Sequence, residues 1–243
     1  MQLVLLSAGR GSRLSKSLRN KPKSLTVINK KTILEHNLEF FKKFKSKIII
    51  TGYKNKLLNN FAKKNNFIQI YNKNYRHTNM VYSLFLASKH INQDVVVCYG
   101  DIIFDPSIHK LLNKKDNLIP LNSSWFNIWK KRMGVKKIKN DAENVFVKKN
   151  YLYSIGEKIT NVYPKYQYMG LFKLKKKTYI KLNNYFRTLK NNKIDMTNFL
   201  NKSIQKKIIR FKIKDFKSFW FEIDTNRDVT ITSKELNKIK LTL

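Results

Sequence analysis

The stretch Leu6-Ser7-Ala8-Gly9-Arg10-Gly11-Ser12-Arg13-Leu14, followed shortly by Asn20-Lys21-Pro22-Lys23-Ser24-Leu25, decides how the chain reads. It leaves the apolar run of residues 2–7, which reads as a strand. Glycines at 9 and 11 allow a tight turn and bring bare N–H groups toward a ligand's phosphates. Arg13 and Lys23 add two cations, so the loop suits a triphosphate. It is not the dinucleotide fingerprint, because Leu14 stands where G-x-G-x-x-G needs its third glycine. Nor is it a P-loop, since no G-K-[ST] follows.

Outward from this loop the chain alternates strand and helix. The spacing of Leu34, Leu38 and Phe41 predicts a helix over 33–44, and residues 47–51 a β-branched strand closing at Gly52. Leu57, Leu58, Phe61 and Ala62 give a second helix, and residues 67–71 a third strand. Met80, Leu84, Ala87 and Ile91 mark a third helix. The unbroken run Val95–Tyr99 reads as a central strand covered on both faces. Asp105-Pro106 supplies a cap and first-turn proline for another helix. This order argues for a parallel sheet with helices on both faces. The second half is more mixed. Strands are expected over 143–155 and 166–174, with breaks at Gly156 and Gly170. Helices are expected over 176–190 and 195–205, strands over 207–213 and 218–223, and a helix from about 228.

Composition bounds the function. Lys plus Arg is 51 against 15 Asp plus Glu, a formal charge of +36. That invites nucleic acid as a partner. However, only eight of these cations are Arg, the side chain favoured for base reading and bidentate phosphate grip. The Lys is spread along the whole chain together with Asn and Ile, as codons rich in A and T produce, so no nucleic-acid partner is expected. The excess should still draw small anions toward a cleft. A hydrophobic share of 42% excludes wholesale disorder. A single cysteine, Cys98, excludes a disulfide scaffold and a four-cysteine zinc site. No apolar run approaches the ~20 residues that span a bilayer, so no membrane insertion is expected. The opening apolar run is too short for a secretion signal, so a cytoplasmic protein with a reduced, buried thiol is expected.

Two aspartates stand out. Asp101 follows Gly100 at the end of the Val95–Tyr99 strand, where open α/β sheets bind ligands. A carboxylate there is placed to hold a divalent ion. Its alternative, a helix cap, is weakened because Asp105 already supplies one. Asp224 follows the apolar run Phe219–Ile223 but lies 123 residues from Asp101, so spacing does not show that they meet. Its alternative is a cap for the last helix, with Asp228 as competitor.

The loop L-S-A-G-R-G-S-R-L with K-P-K-S-L resembles the entry motif of the sugar-phosphate-type nucleotidyltransferases, A-G-x-G-[ST]-R-[LM] followed by K-P-K-x-L. The strings Asn79-Met80-Val81-Tyr82-Ser83-Leu84, Tyr99-Gly100-Asp101-Ile102-Ile103-Phe104 and Gln167-Tyr168-Met169-Gly170-Leu171 resemble the small CTP-using subgroup. Its members act on phosphocholine, 2-aminoethylphosphonate or related phosphorylated amines and amides such as phosphoglutamine. The resemblance implies an α/β, Rossmann-like three-layer sandwich with a mostly parallel mixed sheet, of the nucleotide-diphospho-sugar transferase type. It implies one domain over 1–243: a nucleotide-binding part to about 121, an acceptor-binding part over about 122–215, and a final strand, metal motif and helix over about 216–243.

The implied activity is transfer of CMP from CTP to a phosphorylated or phosphonate small molecule, with release of pyrophosphate. Its catalytic cations are Arg13 and Lys23, and its nucleotide is held by Leu6, Ala8, Gly9, Gly11 and Ser12, together with Asn79, Ser83 and Gly100. Mg²⁺ is the implied cofactor, held by Asp101 and Asp224. Lys158, Tyr168, Asp141 and Glu143 are acceptor candidates, with a solvated surface role as the alternative for each. Trp125 and Trp129, four apart, read as core or lid packing on a short helix, or as a wall for a cationic head group. His77 reads as structural. Rival expectations are a nucleotidyltransferase for a sugar 1-phosphate, and a non-catalytic basic protein on the same fold that binds nucleic acid or an anionic surface. A homodimer is left open.

Overall fold

Strand β1 (Gln2–Ser7) is buried along its whole length, and its side chains alternate between two cores. Val4 and Leu6 face one, Leu3 and Leu5 the other. This is the signature of a strand with helices above and below. The computed structural model describes residues 1–15, 18–112, 115–159 and 162–241.

After β1 a small hairpin forms, β2 (Val27–Ile28) and β3 (Lys31–Thr32), turning on Asn29 and Lys30 at φ of 48° and 66°. Helices α1 (Ile33–His36) and α2 (Leu38–Phe41) follow, then strand β4 (Ser46–Thr51). The continuous helix expected over 33–44 is broken at Asn37. Its Nδ2 donates to the carbonyls of Ile33 at 3.2 Å and Ile102 at 2.7 Å. That side-chain bond to another element competes with the helical ladder. Next come α3 (Asn59–Lys64), β5 (Phe67–Tyr71), α4 (Met80–Leu86), β6 (Val95–Tyr99), β7 (Ile102–Phe104) and α5 (His109–Leu112).

The second half holds β8 (Leu118–Asn122), α6 (Trp125–Met133), α7 (Val135–Asp141), β9 (Glu143–Lys148), β10 (Tyr151–Lys158), β11 (Gln167–Tyr168) and β12 (Leu171–Leu174). It closes with α8 (Lys176–Thr188), α9 (Met196–Gln205), β13 (Lys212–Asp215), β14 (Trp220–Glu222) and α10 (Asn226–Leu241). Gly156 does not break the chain as expected. It sits inside β10 at φ +90°, at the register shift between Ile155 and Glu157 of the β9–β10 ladder, as a bulge requires. The strand expected over 207–213 begins only at Lys212.

The main sheet runs β5-β4-β1-β6-β12-β8-β13-β10-β9, with β11 paired to β8. The ladders among β5, β4, β1 and β6, and between β8 and β13, are parallel. Strand β12 enters antiparallel between β6 and β8. The result is a Rossmann-like mixed sheet with most of its paired length parallel. Helices α4, α8 and α9 cover one face through Leu84, Phe85, Tyr179, Leu182, Phe199 and Leu200. Helices α2, α6 and α7 cover the other through Phe40, Phe41, Trp125 and Ile138. Outside the main sheet, β7 and β14 pair antiparallel, with Glu222 opposite Ile102. A third cluster containing Ile103, Phe221, Ile223 and Leu236 seats α10 on that ribbon.

Candidate active site

From β1 the chain steps outward to β4 and β5, then returns to the other side of β1 to form β6. The carboxyl ends of β1 and β6 therefore flank the point where strand order reverses, where open α/β sheets leave a crevice. A cavity of about 380 Å³ opens there. Leu6, Ala8, Gly9, Gly11 and Ser12 line it from the loop after β1, and Arg13 and Lys23 stand beside them. Asn79 and Ser83 contribute from α4, and Gly100, Asp101 and Asp224 complete the wall.

The loop is built by close approach. Gly11 adopts φ +70°, and a Cβ there would lie 3.2 Å from the Lys23 Cβ. The Gly11 carbonyl accepts the Leu14 N–H at 3.0 Å, and the Gly9 carbonyl accepts that of Lys23 at 3.5 Å. A Cβ at Gly9, by contrast, would meet nothing within 4 Å. The protein leaves that space open.

Two residues that sequence reading did not tie to the site shape the walls. At Gly52, just after β4, a Cβ would lie 2.6 Å from the Ala8 carbonyl oxygen and 2.7 Å from the Tyr75 Cβ. Asn72 is 1% exposed and donates from Nδ2 to the hydroxyls of Thr78 and Ser83, each at 3.0 Å. Its Oδ1 accepts the Asn74 N–H at 2.9 Å. An asparagine closing a turn two residues on, directly after a strand, is the sequence signal that would have found it. Asn79 caps α4 by accepting the Met80 N–H at 2.7 Å. His77 is exposed in the turn before it.

The two aspartates are brought together by the β7–β14 ribbon. Asp101 precedes β7 and Asp224 follows β14, and the Asp101 carbonyl accepts the Ile223 N–H at 2.9 Å. The Lys23 Nζ donates to Asp101 Oδ2 at 2.7 Å and also to Asp224 Oδ1. Arg13 Nη2 lies 3.0 Å from the same Asp224 oxygen. Burial alone would lower the Lys23 pKa, but the charges of Asp101 and Asp224 outweigh it and raise it. Burial would likewise raise Asp224, yet Lys23 and Arg13 hold it below the usual carboxylate range. Asp224 does not cap α10. That role falls to Thr225 and Asp228: the Thr225 N–H donates to Asp228 Oδ2 at 2.8 Å, and the Asp228 N–H to Thr225 Oγ1 at 3.3 Å. Asp105 caps its own turn by accepting the Ser107 N–H at 2.8 Å.

Asp101 Oδ1 is buried without a hydrogen-bond partner. Among the described residues no three His, Cys, Asp or Glu side chains gather into a cage. A pair of converging carboxylates with one oxygen to spare is the donor set Mg²⁺ accepts when it keeps its waters and adds phosphate oxygens. The residues fit that ion.

A second cavity, of about 280 Å³, adjoins the first and shares Arg13, Met80 and Asp224 with it. Asp141, Glu143 and Tyr168 line it; Lys158 does not, and lies exposed at the end of β10. Asp195, Glu222 and Trp220, not foreseen from sequence, line it as well, as does Trp129, one of the two tryptophans read as packing or as a wall for a head group. Among the described residues that line it, this cavity carries carboxyl groups from Asp141, Glu143, Asp195, Glu222 and Asp224 against one cation, Arg13, while Lys23 and Arg132 pair with Asp224 and Glu222 from behind. In a chain of charge +36 that is a local inversion of sign. Burial, then the charges of Asp195 and Asp141, raise Glu143, although Thr197 donates to it at 2.9 Å. Burial and the neighbouring Asp224 push Glu222 up to about 8. Trp125 packs in the core and donates from Nε1 to the Pro164 carbonyl at 3.2 Å, whereas Trp129 meets the cavity.

Comparison with known proteins places these features in a family. The family described as MobA-like NTP transferase domain matches residues 3–117. The chain is 32% identical over 186 residues to the CTP:phosphoglutamine cytidylyltransferase of Campylobacter jejuni, covering 71% of this chain and 72% of that protein. Among solved structures, the inositol-1-phosphate CTP transferase from T. maritima superposes with a TM-score of 0.76 at 22% identity, covering 96% of this chain and 95% of that one. The CTP:phosphocholine cytidylyltransferase from Streptococcus pneumoniae gives 0.76 at 19% identity, covering 97% and 98%. These two share the fold.

Proposed function

The chain belongs to the nucleotidyltransferases of the NTP-transferase superfamily, and on that premise we propose that it is a cytidylyltransferase for an amine-bearing phosphate or phosphonate. The observation that carries the acceptor class is the carboxylate-lined cavity beside the glycine loop. A sugar 1-phosphate offers hydroxyls and brings no cation to balance Glu143 and Asp195. An ammonium group matches both these carboxylates, and Trp129 and Tyr168 line the same cavity. The names of the phosphoglutamine and phosphocholine relatives support the same choice, and also the choice of CTP.

The reaction is an in-line displacement at the α-phosphorus. A new bond forms from an acceptor phosphate or phosphonate oxygen to that phosphorus. The bond from the α-phosphorus to the bridging oxygen breaks, and pyrophosphate leaves. The attacking oxygen is already ionised near neutral pH, so no general base is required. The barrier is electrostatic, since two anions must meet. The Gly9–Ser12 backbone, Arg13 and Lys23 hold the β- and γ-phosphates and take up the charge that builds on the leaving group. Asp101 and Asp224 would hold Mg²⁺, which when bound neutralises phosphoryl charge at the junction of the cavities. Asn79 and Ser83 face the nucleoside, and Glu143 with Asp195 seats the ammonium end, fixing the distance between reactants.

The test is pyrophosphate release with each of the four ribonucleoside triphosphates against phosphocholine, 2-aminoethylphosphonate, phosphoglutamine and glucose 1-phosphate. CTP with an amine-bearing acceptor should give the fastest rate. Preference for UTP, or for the sugar phosphate, would contradict the proposal.

A further inference from the structure

Arg132 ends α6, the helix whose Trp129 lines the second cavity. Its side chain is 3% exposed, and a guanidinium so buried must be paired. Nε donates to Asp228 Oδ1 at 2.8 Å and Nη1 to Glu222 Oε2 at 3.3 Å, while Nη2 lies 3.9 Å from Asp224 Oδ2. The guanidinium carbon also stands 5.3 Å from the centre of the Trp129 ring. The other oxygen of Asp228 takes the N–H of Asp224 at 2.9 Å. Arg132 therefore reaches Asp224 twice: through space to its carboxylate, and through Asp228 to its backbone.

We infer that Arg132 is a positioning residue for the transfer reaction, holding the aim of Asp224 at the metal side and tying it to Glu222 in the acceptor cavity. This rests on the function proposed above. The chemistry requires a fork. Three carboxylates converge on one spot, and only a planar group with several fixed donors serves them together; a lysine presents a single compact charge. Without the guanidinium, Asp224 and Asp228 lose the cation between them, Glu222 loses its donor, and the loop between β14 and α10 loses the contacts that set its direction.

The experiment compares wild type with Arg132→Lys, Arg132→Met and Asp228→Asn. Manganese(II), a paramagnetic stand-in for magnesium, is titrated in the presence of CTP by electron paramagnetic resonance. The KM values, kcat and thermal unfolding are measured alongside. For Arg132→Met the CTP affinity should stay within about threefold of wild type, because Asp224 is one wall residue of that cavity and the loop after β1, Lys23 and α4 supply most of the rest. Its kcat should fall about 100-fold, and half-saturating manganese should rise at least roughly tenfold. Arg132→Lys should sit nearer the methionine variant than wild type. Asp228→Asn keeps an acceptor for the Asp224 N–H and should fold, yet should show the same rise in half-saturating manganese. Variants that only melt earlier, with manganese half-saturation and acceptor KM unchanged, make Arg132 a mere brace and overturn the inference. Wild type that releases no pyrophosphate with any acceptor overturns the underlying reading instead.

Discussion

At Lys23 three demands meet. Its ammonium joins two carboxylates that would otherwise repel, its Cβ passes against Gly11, and its backbone N–H closes on Gly9. Lys23→Ala removes the charge facing the leaving phosphates and should lower the pyrophosphate-release rate by roughly 10²–10³. Initial rates at saturating CTP check this, and near-normal turnover would take Lys23 out of the role. Glu143 makes a different prediction, of opposite sign for stability. Its folded pKa is raised above the usual 4.5. Below that value the group is protonated in folded and unfolded chains alike and costs nothing. As pH rises through it, the unfolded chain ionises freely while the folded one resists, and stability is lost. Glu143→Gln keeps an oxygen for the Thr197 hydroxyl and should raise the melting temperature at pH 7, with the gain vanishing near pH 4. The same change should raise the acceptor KM. Melting curves at the two pH values, with acceptor kinetics at pH 7, test both halves.

Among the elements, the glycine loop separates binding from folding. Gly9 has open space above it, so Gly9→Ala should leave the melting temperature unchanged or slightly higher, while the CTP KM rises roughly tenfold as the methyl group intrudes on the phosphates. Gly52→Ala should do the reverse. Its methyl would strike the Ala8 backbone and Tyr75, costing about 1–3 kcal/mol of stability before any nucleotide is added. Thermal unfolding and CTP kinetics on the two variants separate the cases. The same contrast explains what the sequence made legible. A glycine loop after an apolar strand, and apolar runs at strand and helix period, announce themselves locally, so β1, β4, β5, β6 and the strand-end Asp101 could be read. Strand β8 was not read, and its Pro120 is a residue that central strands seldom carry. It is tolerated because β12 pairs with β8 only at Leu118 and β11 only from Leu121, so Pro120 falls in the gap between these ladders. The meeting of Asp101 and Asp224 depends on the β7–β14 ribbon, a pairing of distant segments that no local pattern carries. Arg132 and Asp195 were missed for the same reason. Their meaning lies in partners from other parts of the chain.

At the scale of the molecule the charge has two signs to reconcile. The surface excess favours the approach of triphosphate from any side, while the second cavity presents carboxylates to whatever arrives there. The screening length shrinks from ~10 Å at 0.1 M salt to ~3 Å at 1 M. Raising salt should therefore lower kcat/KM for CTP several-fold with little change in kcat, as stopped-flow rates at several ionic strengths will show. No helix among the described residues is long and apolar enough to cross a membrane. Membership of the nucleotidyltransferases makes the chain an enzyme and sets aside the non-catalytic reading. The most direct test of the account is to follow the fate of the phosphates. CTP labelled with ³²P at the α-phosphorus is incubated with Mg²⁺ and 2-aminoethylphosphonate, phosphocholine or phosphoglutamine, in parallel with γ-labelled CTP. The account predicts that one acceptor captures the α-label in a cytidylylated product while the γ-label leaves as pyrophosphate. Capture of the γ-label by the acceptor, or capture of neither, would contradict it.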